Sequence, residues 1–375
     1  MTTDQTGASV EPAFGAVPTV VADVPQAKPG LWPPMPRPVF IARVVIGVVL
    51  SAAALYAPLY YEPEINRVLS QAIYLAIAAM GLNLLTGFNG QVSIGHGAFY
   101  GVGAFTSAIL MIDHGWTYEP TIIVAALLSG VFGLLVGLPA LRVRGLYLAL
   151  VTLGLAVLFP RVAQKFVEGT GGVALLRPDR SEFSSLIDGL DDDQWAYYLS
   201  LAIMVVLFFL AWNLVRGRIG RAMIAVRDQE IAAATVGVNL AGTKVTTFAI
   251  SAAYAGVAGA LSVMVDRLAD GTNPILYFQR SIEFLVAMVI GGAATMLGPA
   301  VGALALVLLR RNTEDLIEGK EVLAPALYGA ALIAIVFVLP EGIVGGVRRL
   351  LARLGRRSSA KGRPPTPSPP ADSHD

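Results

Sequence analysis

The chain has 375 residues, 55% of them hydrophobic and only 14% charged, with 39 glycines and a formal net charge of +1. It contains no cysteine, which excludes disulfides, thiolate catalysis and cysteine metal sites, and its three histidines (His96, His114, His374) are too few for a metal cluster. Long uncharged runs rich in glycine are what membrane helices show, because small residues let helices approach closely, so the chain reads as all-α, a polytopic membrane helix bundle.

Residues 1–39 are rich in Pro, Ala and Val and lack helical periodicity; they read as a disordered cytoplasmic N-terminal segment without the basic start of a secretory signal. The first span is Phe40–Tyr60, with Tyr56, Tyr60 and Tyr61 as an aromatic belt. Further spans are predicted at Val68–Thr86, Gln91–Ile112, Thr121–Leu141 and, beyond the basic turn of Arg142 and Arg144, Leu146–Phe159. The longest soluble connection, Arg161–Gln194, ends in the acidic cluster Asp188, Asp191, Asp192 and Asp193, before spans at Trp195–Val215 and Thr243–Val265. Ser281–Leu309, at 29 residues, exceeds one span and holds the helix-breaking run GGAATMLGP (Gly291–Pro299), which predicts two segments meeting at a break. A last span, Val322–Leu339, leads to a tail with Arg348, Arg349, Arg353, Arg356, Arg357, Lys361 and Arg363.

This makes ten membrane segments, within a transmembrane domain of residues 40–346 followed by a basic, then Pro-rich cytoplasmic tail over 347–375. Alternation places Arg142 and Arg144, the loop 216–241 and the tail on one side and the acidic connection on the other, as the positive-inside pattern requires; Arg310 and Arg311 dissent.

Two stretches stand out. In Leu82–Phe105, Asn83, Thr86, Asn89, Gln91, Ser93 and His96 are too many polar groups for a lipid-facing run, and Gly87, Gly90, Gly95 and Gly97 make it prone to break. Such backbone is tolerated at membrane depth only under protein or beside a water-filled cavity, so Asn89, Gln91, Ser93 and His96 are expected to line a pathway; a cytoplasmic turn with polar caps is the plainer reading. The pairs Gly97/Gly101, Gly133/Gly137 and Gly298/Gly302 read as helix-packing devices.

The second stretch is Arg216–Ala241, where Arg216, Arg218, Arg221 and Arg227 follow an apolar run, marking a cytoplasmic loop. Asp228 is expected as an N-cap, Glu230 in the first turn, and Gly237 as the stop of a short helix in which Ile231, Ala234 and Thr235 share a face. So short a helix needs a surface to pack on: either its own bundle, as an ordinary loop helix, or a cytoplasmic partner, as a docking helix. Gly237–Lys244 (GVNLAGTK) has Thr and Lys in the wrong order for a phosphate loop and follows no buried strand. His96 has no acidic partner nearby, and no catalytic set assembles, so an enzyme is not expected. Glu283 is the best intramembrane ionisable candidate and is expected at the interface with its carboxylate in water.

The runs NLLTGFNGQVSIGHGAFYGVGAF, GRAMIAVRDQEIAAATVGVN and TTFAISAAYAGVAGAL, then PILYFQRSIEFLVAMVIGG, LGPAVGA and PEGIVGG, resemble the permease subunits of bacterial branched-chain amino acid ABC importers, the M-type more than the H-type, over roughly Leu69 to Gly346. The resemblance implies a multi-pass protein of the bacterial inner membrane that pairs with a second permease, two cytoplasmic ATPases and a periplasmic binding protein. ATP is then used by the ATPases, and this chain needs no cofactor or metal of its own; its other surroundings are the lipid bilayer, and no nucleic acid is expected. It also implies that Arg227, Asp228, Glu230, Ile231, Ala234, Thr235 and Gly237 belong to the coupling helix, with Arg227 and Glu230 as polar contacts to the ATPase. Two departures leave the substrate open between branched-chain amino acids and urea, amides or other small metabolites. The family's GG-x-G-T turn has Ala294 in fourth position, and Gly171-Gly172 is followed by Val173, Ala174 and Leu175. The alternative function, an ion-coupled secondary transporter, needs an intramembrane acid, and only Glu283 and Asp266, both near span ends, are candidates.

Overall fold

The computed structural model describes residues 54–56, 58–60, 63–142, 145–167, 175–176, 190–273 and 275–315, with scattered positions between 329 and 349. The N-terminal segment, most of the first predicted span, most of the last and the basic tail lie outside the described residues, as does most of the acidic connection.

Among the described residues between 63 and 315, the helices follow in order: α1 (Pro63–Leu82) running into a π-helical segment (Asn83–Phe88), α2 (His96–His114), α3 (Tyr118–Ala140), α4 (Leu146–Val167), α5 (Asp192–Arg216), α6 (Arg218–Asp228), α7 (Glu230–Thr235), α8 (Leu240–Asp266), α9 (Leu276–Gly291) and α10 (Gly298–Asp315). The strand content among the described residues is one antiparallel ladder, β1 (Leu175–Leu176) with β2 (Ala269–Asp270). The fold class is therefore all-α, as expected. Five described helices are long and apolar enough to cross a membrane: α1 with its π extension, α3, most of α4, α5 and α8. The predicted break within Ser281–Leu309 is present, as α9 and α10 flank a non-helical turn over residues 292–297.

Helix α8 is the axis of the bundle, packing most extensively on α3, α2 and α1. Its inner residues run Ala-Gly-Val-Ala-Gly-Ala-Leu-Ser (255–262), buried without interruption, and a helix apolar on every side belongs in the middle of a protein. Its small side chains bring neighbouring backbones close. A Cβ added at Gly259 would collide with the Tyr100 carbonyl of α2, and one at Gly103 with the Gly256 carbonyl. The glycine pairs of the sequence have the same use: Gly133 lies against Ala252, Gly137 against Phe248, Gly97 against Tyr277 and Gly302 against Ala287. Peripheral helices turn apolar side chains outward instead, such as Ile123, Leu127 and Leu134 on α3 and Val205, Phe209 and Leu210 on α5, as lipid-facing helices do.

Two breaks are sewn together by one side chain. The Asn83 amide donates to the Thr295 carbonyl at 2.9 Å and accepts from the Ala294 N–H at 2.8 Å, so the π segment and the α9–α10 turn satisfy each other's freed backbone groups. Ala294 stands at φ 57°, where an L-residue is strained and glycine is not. Glycine, the residue expected there from the resemblance, would stand at this φ without strain.

The third predicted span starts later than expected, at His96. Residues 89–95 instead form a turn in which the Gln91 N–H reaches the Leu85 carbonyl at 3.1 Å and Thr86 Oγ1 donates to the Gln91 carbonyl at 2.9 Å. Ser93 within this turn and His96 just after it are fully buried. Ser93 Oγ lies 3.0 Å from His96 Nδ1, His96 Nε2 lies 2.5 Å from Ser251 Oγ, and Ser251 donates to the Gly81 carbonyl at 2.5 Å. With Phe99 and Phe248 flanking the imidazole, this chain of hydroxyl–imidazole bonds ties α2 to α8 and α1 inside the core.

Two outcomes are expected. Ala294→Gly removes roughly 1–2 kcal/mol of left-handed strain and adds about 0.4–1 kcal/mol of unfolded-state entropy, so the melting temperature of the solubilised protein should hold or rise slightly, whereas Ala294→Val should lower it. In the chain's natural cysteine-free background, Ser93→Cys should react with a water-soluble thiol reagent at least tenfold more slowly than Ile231→Cys.

Candidate functional site

The basic loop folds into two short helices at one end of the bundle. Helix α6 is amphipathic: Gly220, Met223 and Val226 are buried at spacings of three, while Arg218, Arg221 and Arg227 face out. It ends at Asp228, where the chain turns extended at Gln229 (φ −159°, ψ 99°), and α7 starts at Glu230. Asp228 is therefore the last residue of α6 and not the N-cap of α7. The position is taken by Gln229, which makes no side-chain cap bond. The sequence favoured Asp228 because aspartate is the better cap; the Arg227 side chain claims it instead, with Nε 2.9 Å from Asp228 Oδ1. Arg227 and Asp228 thus belong to α6, and Gly237, at φ 85°, makes the turn that follows α7 as expected.

Helix α7 is anchored from one side and open on the other. Ala233 is buried, and Glu230 forms a 2.5 Å ion pair with Lys244 at the start of α8. Ile231, Ala234 and Thr235 are all exposed; Ile231 is 79% exposed and the neighbouring Val236 78%. The expected shared face therefore exists and points away from the bundle. Arg227 and Glu230, expected as contacts to a partner, both have partners within the chain: Arg227 also donates from Nη1 to the Gly87 carbonyl at 3.0 Å. They fix the helix pair to the break after α1. Close approach at this junction explains Gly90 (φ 76°), where an added Cβ would meet the Arg227 side chain.

Between the break and α7 lies a cavity of about 370 Å³, lined by Asn89, Gln91, Arg227, Gln229, Glu230 and Ile231 among others. Gln91 donates to the Lys244 carbonyl at 3.2 Å. Asn89 is 2% exposed, and neither heteroatom of its amide has a hydrogen-bond partner among the described residues. Of the four residues expected to line a pathway, Asn89 and Gln91 therefore border this cavity, at the level of the basic loop. Ser93 and His96 do not reach a surface, because their polar atoms are used up in the core. The polar break is a turn at the same end of the bundle as the basic loop.

Lys244 and Asp266 escaped the sequence reading as partners, since their contacts join residues far apart in the chain. The one available signal was their position at the two ends of an otherwise uncharged span. Glu283 is paired, with Oε2 2.8 Å from Arg280 and Oε1 3.7 Å from Arg310, and is partly exposed at the opposite end of the bundle from α7. Among the described residues no group of three His, Asp or Glu converges as a metal site.

The family model described as the branched-chain amino acid transport system / permease component matches residues 64–337. The chain is similar to the high-affinity branched-chain amino acid transport system permease protein LivM of Escherichia coli, 30% identical over 312 residues that cover 77% of this chain and 71% of LivM. It is also similar to the permease protein LivH of the same transport system name in E. coli, at 26% identity over 76% of this chain and 96% of LivH. The ribose import permease protein RbsC of Haemophilus influenzae is 24% identical over 82% of this chain and 93% of RbsC. No solved structure matches. These relatives are transport permeases and not enzymes, and the described fold is that of an integral membrane bundle. The greater identity to LivM agrees with the M-type resemblance of the motifs, and the chain belongs to the family of branched-chain amino acid transport system permease components.

Proposed function

We propose that this chain is one of two permease subunits of an ATP-driven importer of the bacterial inner membrane, carrying branched-chain amino acids delivered by a periplasmic binding protein. The domain would be residues 40–346, between a cytoplasmic segment at 1–39 and a cytoplasmic tail at 347–375. The observation that carries the reading is α7, which exposes Ile231 and Val236 in a basic loop while Ala233 and the Glu230–Lys244 pair hold it from beneath. Large apolar side chains displayed on a small, braced helix favour a docking partner. A cytoplasmic ATPase is the partner that such a loop would couple to transport, and Asn89, with its two unmet hydrogen-bonding groups, would accept polar contacts at the edge of that dock. Motion of α7 would pass to α8 through Lys244 and to the π segment through Arg227. The substrate is inferred from LivM and LivH, by similarity in sequence.

The reading is tested by co-purification of the ATPases and by ATP-driven uptake in the reconstituted complex. Ile231→Asp should reduce retained ATPase at least tenfold; full retention with normal uptake would refute docking at α7. Ala233→Pro removes the Ala233 N–H to Gln229 carbonyl bond of 3.0 Å and should cost about 3 kcal/mol of local stability, uncoupling hydrolysis from uptake. Asp228→Ala, since Asp228 caps nothing, should change stability by no more than about 0.5 kcal/mol. Glu230→Lys should loosen α7 by up to about 1 kcal/mol, and Lys244→Glu in the same chain should restore coupling. For sidedness, cysteines at Arg142, Ile231 and Arg349 should label from the cytoplasm and one at Asp191 from outside.

A further inference from the structure

At the end of the bundle opposite α7 a second cavity, of about 410 Å³, opens between α1, α8, α9 and α10. Its location follows from chain direction. Asp266 closes the 27-residue α8 that begins beside α7, while Glu64 lies in the first turn of α1, Arg280 in the second turn of α9 and Arg310 in the last turns of α10.

The charges in this cavity are arranged for a ligand carrying both signs. Asp266 accepts from Gln71 Nε2 at 2.9 Å and from the Tyr74 hydroxyl at 3.0 Å, both neutral donors. Among the described residues no lysine or arginine stands within 4.0 Å of its carboxylate. As the last residue of α8, it also faces the negative end of its own helix, so an incoming cation would relieve it. On the same cavity, Arg280 donates one N–H to Glu283 at 2.8 Å. A guanidinium has five such donors in a planar fork, and its remaining edge suits a carboxylate. Counted over the lining, Glu64, Asp266 and Glu283 balance Arg280, Arg310 and Arg311, so a ligand of net charge would unbalance the site and a zwitterion would not. The rest of the wall is aliphatic, with Val68, Leu75, Leu306 and Val307.

We infer that this cavity is a binding site for a zwitterionic α-amino acid with an aliphatic side chain. The ammonium goes to Asp266, the carboxylate to Arg280 and the side chain to the aliphatic wall, while Glu283 holds Arg280 in position. The inference rests on the importer reading for its choice of ligand, and it adds a station within this subunit for the substrate after release from the binding protein. A zwitterionic lipid headgroup shares the two charges but has no use for the aliphatic wall between them.

The test is titration of L-leucine, followed by saturation-transfer NMR, against the complex of this chain with its cognate permease and ATPases. The complex sits in phosphatidylglycerol nanodiscs without binding protein. Saturable leucine binding is expected, weakened at least tenfold by the isosteric Asp266→Asn and by Arg280→Gln, with the assembled complex unchanged on gel filtration. 4-Methylpentanoate, which lacks the ammonium, and 3-methylbutylamine, which lacks the carboxylate, should each compete at least tenfold less well than leucine. Unchanged leucine affinity in both variants would overturn the site. So would competition by the amine equal to that of leucine, which marks a cation site, or loss of leucine binding when phosphatidylethanolamine is added to the discs, which marks a headgroup site. Binding-protein-dependent uptake separates the two levels. If the wild-type complex imports leucine while both variants bind and import it normally, only the site is wrong; if it imports no branched-chain amino acid, the importer reading itself has failed.

Discussion

A helix that stops within a packed bundle leaves N–H and C=O groups that need partners, and among the described residues helices break after α1 and between α9 and α10. The Asn83 amide meets that constraint for both interruptions at once, accepting from Ala294 and donating to Thr295. Because those two bonds join α1 to the α9–α10 turn, the positions of three helices depend on one buried side chain. Replacing it by an apolar residue would strand a donor and an acceptor, at about 1–3 kcal/mol each. Around this knot other polar groups are paired as well, with His96 spanning two serines and Ser281 accepting from the Gly97 N–H at 2.8 Å.

The same constraint separates what was legible in the sequence from what was not. Helix count and class over the described region followed from apolar run length, and the break between α9 and α10 from its Gly and Pro residues, because these are local properties. The π winding itself left no signature. Asn83, Thr86 and Gly87 mark Asn83 to Phe88 as prone to break, but the kind of break depends on partners at positions 294 and 295. Polar density correctly marked 82–105 as a special region, but density cannot say which groups find partners. Ser93 finds His96 and His96 finds Ser251 across the core, whereas Asn89 has no partner among the described residues.

The basic loop shows the same division at finer scale. Spacing put Ile231, Ala234 and Thr235 on one face, and they share one. The helix start was misplaced by a residue because intrinsic cap preference favoured Asp228, while the tertiary pull of Gly87 on Arg227, and of Arg227 on Asp228, extended α6 through it. Glu230 looked like a hand offered to a partner, yet it is held by Lys244, fourteen residues on. Long-range pairing of this kind is invisible to any window along the chain.

Helix α8 touches both ends of this design, with Lys244 bound to α7 near its start and Asp266 on the far cavity at its finish. It is unbroken over 27 residues, and at 1.5 Å per residue spans about 40 Å. Close-packed glycines and alanines along its length leave it little room to bend, so it acts as a stiff beam. A tilt of about 5° pivoting at one end would sweep the other through about 3.5 Å over that length. That is roughly the distance between touching carbon atoms, and hence enough to make or break a first-contact shell around a small solute.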